Sequence, residues 1–139
     1  MWGGRTEGYS KNASVTSVHH FNPVHESWAE HECSGQPPPW LYWGASASAG
    51  HLLYQYGGYD GSDNHSSLYQ LNTASWEWSL LSREAPRKKA GCGMLTYDSK
   101  LVLFGGYGDG GYTNELHLFD LKEGEGVSLA VSVELTCWE

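Results

Sequence analysis

Short apolar runs punctuated by turn residues dominate this chain. LVLF (101–104) is continuously apolar, LLYQY (52–56) is apolar or aromatic but for Gln55, and each stops at a pair of glycines. A polar, glycine-rich stretch follows, and then a second run: SVHHFN (17–22), SSLYQLN (66–72) and ELHLFDL (115–121). Runs of four to seven residues ending on turn formers are a strand signature. No useful length shows the three-and-four spacing of an amphipathic helix. The pattern predicts strands at Leu41–Ala49, His51–Gly57, Ser67–Asn72 and Trp76–Leu81. It predicts a second set at Gly91–Asp98, Leu101–Gly106, Glu115–Leu121 and Val131–Trp138, with KEGEGVSL (122–129) as a connection.

The runs repeat. Glycine pairs stand at Gly3-Gly4, Gly57-Gly58 and Gly105-Gly106, spaced 54 and 48 residues apart. A tryptophan closes each unit: Trp28, Trp76 with Trp78, and Trp138. Proline-containing breaks, GQPPP (35–39) and EAPRK (84–88), separate the units. A period near fifty residues marks a repeat architecture, in which each small sheet buries its faces against its neighbours. Paired glycines suit a place where backbones approach too closely for a side chain. An indole is a wide plate that fills the space between sheets. The division that results is an incomplete unit at 1–35, a unit at 36–84 and a unit at 85–139.

Composition agrees with an all-β fold. Of 139 residues 18 are glycine, and the aromatic share is 14%. The formal charge of −8 makes a phosphate backbone a poor partner, so no nucleic acid is expected. Apolar runs fall well short of the ~20 residues of a membrane helix, so no membrane insertion is expected. Three cysteines, Cys33, Cys92 and Cys137, are an odd and sparse set. They read as reduced thiols of an intracellular protein, cytoplasmic or nuclear.

Hydrophobic strand, Gly-Gly, polar loop, Tyr/Phe-x-Leu/Asn/Asp and then Trp resembles the kelch repeat. LYQYGGYDG with LYQLNTASWEW, and LVLFGGYGDG with NELHLFDL, carry the likeness; WGGR with HFNPVHESW carries it more loosely. The WGG, Pro-Pro and GGYG features are similar to the kelch domain-containing protein 2 subfamily. The resemblance implies a partial kelch β-propeller of four-stranded antiparallel blades. Propellers need four to eight blades, so two and a half imply part of a longer protein, with several copies closing a ring as the alternative. Either way, blade faces are left uncovered, and self-association through them is expected.

Catalytic chemistry finds little support. Gly106-Tyr-Gly108-Asp-Gly-Gly111 fits GxGxxG, but YTNELHLFDL after it reads as a strand, where a dinucleotide site needs a helix. The seven histidines lack the CxxC or HExxH partners of a zinc site. DGSDNH (60–65) has a calcium loop's composition, yet His65 and Leu71 stand where its glycine and glutamate belong. Glu30 and Glu32 read as part of a solvated connection. No nucleophile elbow occurs, so no enzyme activity and no cofactor are expected; a kelch-type oxidase or sugar epimerase is the alternative, as is a cytoskeletal or trafficking scaffold.

The resemblance also implies a binding face. In kelch substrate receptors, pocket residues follow the Gly-Gly pair or stand two before the Gly-x-Gly of a blade's first strand. Those places hold Arg5, Tyr59 and Tyr107, and Tyr42 and Lys89, in this chain. Aromatic plates among isolated cations suit a short acidic or carboxylate-terminated peptide. The implied function is a protein-interaction module, selecting substrates for a cullin-type ubiquitin ligase.

Overall fold

A computed structural model of the chain describes residues 16–83, 87–122 and 126–134. Arg5, the Gly3-Gly4 pair, Cys137 and Trp138 lie outside the described residues. Every regular element among those described is a strand. The first two, β1 (Ser17–Asn22) and β2 (Ser27–Glu32), form a hairpin. Glu30 and Glu32 therefore belong to a strand rather than to a connection, although both are exposed.

The second sheet holds β3 (Ser34–Gly35), β4 (Ala45–Ala49), β5 (Leu52–Tyr56), β6 (Leu68–Asn72) and β7 (Glu77–Ser82). Its spatial order is β3-β7-β6-β5-β4. Strands β4 to β7 are the expected antiparallel meander. The added edge strand β3 runs parallel to β7, pairing Ser34 with Glu77 and Gly35 with Trp78. Gly35 is required there, because a Cβ on it would come within 2.1 Å of the Trp78 carbonyl oxygen.

Next come β8 (Lys89–Ala90), β9 (Gly93–Tyr97), β10 (Lys100–Phe104), β11 (Tyr107–Gly108), β12 (Gly111–Tyr112), β13 (Glu115–Lys122) and β14 (Gly126–Glu134). The third sheet has the order β14-β13-β10-β9, and a small sheet β12-β11-β8 sits at its loop end. The last strand starts well before the expected Val131. Residues 126–129 pair with 119–122, with a bulge between Leu118 and Phe119. The stretch taken for a connection is thus largely strand.

One turn recurs. Asn22 Oδ1 accepts the backbone N–H groups of Val24 and His25, and Asn72 Oδ1 those of Ala74 and Ser75. Four residues after each asparagine the chain turns left-handed, at Glu26 (φ 48°) and Trp76 (φ 54°). The side-chain oxygen satisfies the amides that a tight turn leaves open. This places Trp28 and Trp78 at equivalent points of the repeat.

Two apolar clusters hold the sheets face to face. Val18 of the hairpin meets Tyr69, Leu71 and Trp78 on one face of the second sheet. On the other face, Ala45, Tyr54, Tyr56 and Leu68 meet Leu101, Leu103 and Phe119 of the third. Leu68, Leu101 and Leu103 are fully buried, and each contributes about 1.5–3 kcal/mol by leaving water. Because side chains alternate along a strand, the second sheet joins its two neighbours through opposite faces.

Candidate functional site

The loops after β5 and β10 and the segments before β4 and β9 gather at one end of the stacked sheets. Backbone hydrogen bonds stitch them together. Tyr42 and Tyr59 exchange N–H···O bonds of 3.1 and 2.8 Å. Gly58 N donates to Lys89 O at 2.9 Å, Lys89 N to His65 O at 3.0 Å, and Gly91 N to Trp43 O at 2.7 Å. Tyr107 pairs with Ala90, and Gly108 with Lys89. Tyr42, Tyr59, Lys89 and Tyr107 thus come together at this end.

The glycine pairs make the approach feasible. A Cβ on Gly57 would lie 2.3 Å from Lys89 O, and one on Gly106 would lie 2.5 Å from Cys92 Sγ and 3.0 Å from Ala90 O. Both residues also have positive φ, 59° and 105°, a region that side chains other than hydrogen rarely occupy.

Three aromatic rings form a platform. Tyr42 meets Tyr59 edge-on with centroids 5.4 Å apart and Trp43 at 5.1 Å, while Trp43 and Tyr59 lie nearly parallel at 6.3 Å. Sequence reasoning did not select Trp43. Its backbone is left-handed, φ 60°, a costly conformation for a bulky residue, and its indole is 69% exposed. A second aromatic pair, Tyr107 and Tyr112, stands 5.2 Å apart and exposed. The only sequence signal for Trp43 was its place between Tyr42 and Gly44.

Lys89 occupies the expected position but does not present its ammonium to solvent. It is 1% exposed. Its Nζ donates to Glu115 Oε2 at 2.6 Å and to His117 Nε2 at 3.0 Å. The hydrogen bond and charge of Lys89, helped by Arg87 and Thr113, hold the Glu115 carboxyl down to about 2 against the opposing effect of partial burial. Burial and the Lys89 charge also push His117 below its ordinary value, which suits a neutral ring accepting at Nε2. Arg87 and Lys88 are the exposed cations here; the Arg87 side chain is 70% accessible and its Nε lies 3.5 Å from Glu115 Oε1. The Tyr56 hydroxyl donates to the Arg87 carbonyl and tethers its backbone.

Beside this cluster opens a cleft of about 540 Å³, walled by Arg87, Lys88, Lys89, Glu115 and the loop from Gly108 to Asn114. The 60–65 loop is occupied with its own hydrogen bonds. Asp60 Oδ1 accepts from Ser62 N and Asp63 N, and Oδ2 lies 3.0 Å from His65 Nε2. Burial alone would raise the Asp60 carboxyl; the bonds from Asp63, His65 and Ser62 prevail and hold it at about 2. Among the described residues no three His, Cys, Asp or Glu side chains are grouped to hold a metal ion, and Cys33 and Cys92 are free thiols. No helix among them is long and apolar enough to cross a membrane.

The KLHDC2/KLHL20/DRC7 Kelch-repeats domain family matches residues 1–136. The chain belongs to this kelch-repeat family. Its stacked antiparallel sheets are accordingly β-propeller blades. Among similar proteins, Tip elongation aberrant protein 3 of Schizosaccharomyces pombe is 40% identical over 78 residues, 50% of this chain and 7% of that protein. Kelch domain-containing protein 1 of Mus musculus is 35% identical over 86 residues, 55% of this chain and 21% of its own length. Host cell factor 1 of Homo sapiens is 26% identical over 143 residues, 91% of this chain and 7% of its own length. The kelch chain thus spans about a fifth or less of each of these relatives.

Proposed function

We propose that this kelch chain is a protein-interaction module that receives a short peptide on its loop end. The observation that carries the reading is the gathering of Tyr42, Trp43, Tyr59 and Tyr107 at the loop end that also carries the Arg87 cleft, on loops cross-linked by main-chain bonds. Exposed aromatic plates are typical anchors of binding surfaces. A strained, exposed Trp43 fits a side chain held out for a ligand. Arg87 is the side chain placed to meet a carboxylate; Lys89 is already matched by Glu115 and serves to hold the cleft wall. Arg5 is retained as a second cation of the same surface on its position after Gly-Gly.

The finer proposal is that the peptide belongs to a substrate of a cullin-type ubiquitin ligase, in the cytoplasm or nucleus. Its support is the kelch family itself, the aromatic residues at the receptor pocket positions and the unpaired thiols.

The test is a fluorescence-polarisation screen of short peptides, each made with a free and with an amidated C-terminus. A peptide that binds the chain and loses at least about tenfold in affinity with Trp43→Ala, Tyr59→Ala or Arg87→Ala supports the reading. Binding that survives all three substitutions refutes it.

A further inference from the structure

Three titratable side chains meet behind the Arg87 cleft, and their geometry requires one protonation state. Lys89 Nζ lies 3.0 Å from His117 Nε2 and 2.6 Å from Glu115 Oε2, and that same His117 nitrogen lies 3.3 Å from the same Glu115 oxygen. An ammonium has protons to give and no lone pair, so Nε2 is the bare, accepting nitrogen of a neutral ring. Lys89 and His117 are each 1% exposed, and charges this deep are screened little by salt.

A proton on Nε2 has no room in this arrangement. It would set an N–H against an ammonium 3.0 Å away. Glu115 Oε2 is the acceptor within reach, and turning the His117 bond onto it takes from Lys89 one of its acceptors. Glu115 would then face two buried cations. Arg87 is the partner it holds least firmly, with Nε at 3.5 Å from Oε1 and a side chain 70% accessible. An exposed pair at that distance contributes little, so it is the contact that yields.

We propose that protonation of His117 exchanges its hydrogen bond from Lys89 for one to Glu115, draws the carboxylate inward and releases Arg87 into the cleft. The charges acting on His117 are Lys89, Glu115 and Arg87, and burial with the Lys89 charge places the exchange below pH 6.5. The surrounding elements are consistent with this. On β10, Leu103 stands opposite His117, and on β14, Glu134 stands opposite Glu115 in register. Lys88 and Asp109 line the cleft beside Arg87. Burial pushes up the Tyr56 hydroxyl and the Cys92 thiol next to the cluster, which keeps both neutral in this range. The preceding blade senses the exchange through the main chain, since Gly58 N donates to Lys89 O and Lys89 N to His65 O. His65 itself lies 3.0 Å from Asp60 Oδ2 and gains an ion pair on protonation, so the two histidines respond in opposite senses.

The exchange needs no ligand; its use at the peptide site rests on the reading above. A freed Arg87 and an added positive charge both favour a carboxylate, so linkage makes affinity rise in acid.

The experiment is an NMR titration of the 139-residue chain without peptide, from about pH 8 to about pH 5. The His117 ring, the Arg87 Nε–H and the Gly58 and Lys89 amides should move together with one midpoint below 6.5. His117→Gln keeps an acceptor for Lys89 but takes no proton, and should abolish the transition at Arg87 and Lys89. His117→Asn is the second variant if Gln disturbs the strand signal in circular dichroism, and His65→Gln should leave the transition intact. An Arg87 signal that does not follow His117, or that keeps its transition in both His117 variants, overturns the exchange. Formate, a carboxylate probe read on the Arg87 signal, should bind about fivefold more tightly in acid to the parent and not to His117→Gln. An exchange that occurs without this tightening refutes its role at the peptide site alone.

Discussion

Lys89 Nζ and Glu115 Oε2 lie 2.6 Å apart, and the lysine is shut away from solvent. A buried charge of this kind is tolerated because its partner and the His117 nitrogen use its protons. Removing the carboxylate leaves the buried ammonium without its counter-charge, whereas removing the lysine leaves Glu115 with Arg87 3.5 Å away. Glu115→Gln is expected to destabilise the chain by about 3–5 kcal/mol. The double change Lys89→Met with Glu115→Gln should cost less than the sum of the single changes. Denaturant melts of the four proteins in this cycle measure the difference.

Acid should loosen the same wall. Glu115 ordinarily titrates at 4.5 and is held near 2 in the fold. A depressed carboxylate gives stability that is complete above its unfolded value and is lost as pH falls from 4.5 towards 2. His117 is also depressed, from 6.5. Its contribution is present above 6.5 and declines below it as the unfolded chain takes up a proton that the fold resists. Both act in one direction, so unfolding free energy should fall steadily from pH 7 into acid. Glu115→Gln should flatten the lower part of that profile.

Two glycines, Gly50 and Gly57, separate backbone freedom from crowding. Gly50 has φ 58° with nothing within 4 Å of an added Cβ, whereas Gly57 has φ 59° and would place its Cβ 2.3 Å from Lys89 O. Gly50→Ala should cost about 1 kcal/mol for its conformation alone. Gly57→Ala should cost several-fold more, since backbone must move. Thermal melts of the two variants compare them directly.

Trp43 should behave in the opposite sense. Trp43→Gly relieves a left-handed tryptophan and removes little buried area, so the melting temperature is expected to hold or rise. Peptide affinity should fall. A protein that becomes both less stable and equally active in binding would count against Trp43 as a contact residue.

Strand identity was readable because the apolar runs are short and end on glycine or asparagine. Leu52–Tyr56 and Leu68–Asn72 lie within one residue of their expected limits at either end. The last strand was misplaced because Gly126 and its neighbours have a turn's composition, and only pairing with β13 draws them into the sheet. The glycines and tryptophans of the repeat had a visible geometric purpose. The burial of Lys89 had no local signal: among Arg87 and Lys88 it looks like a solvated turn, and the Glu115 and His117 that accept its protons lie 26 and 28 residues away. Trp43 escaped for a related reason, since its left-handed backbone is accompanied by a bond from Gly91 N, 48 residues away, to its carbonyl.

The main chain of Lys89 is clasped on both sides by the loop of the preceding blade, through Gly58 and His65. Loop transplants between kelch proteins should therefore succeed only when neighbouring segments travel together. A new 57–67 loop grafted without its matching 87–92 segment would lose the rungs that give it shape, so two adjoining loops form one unit of exchange at this end of the molecule.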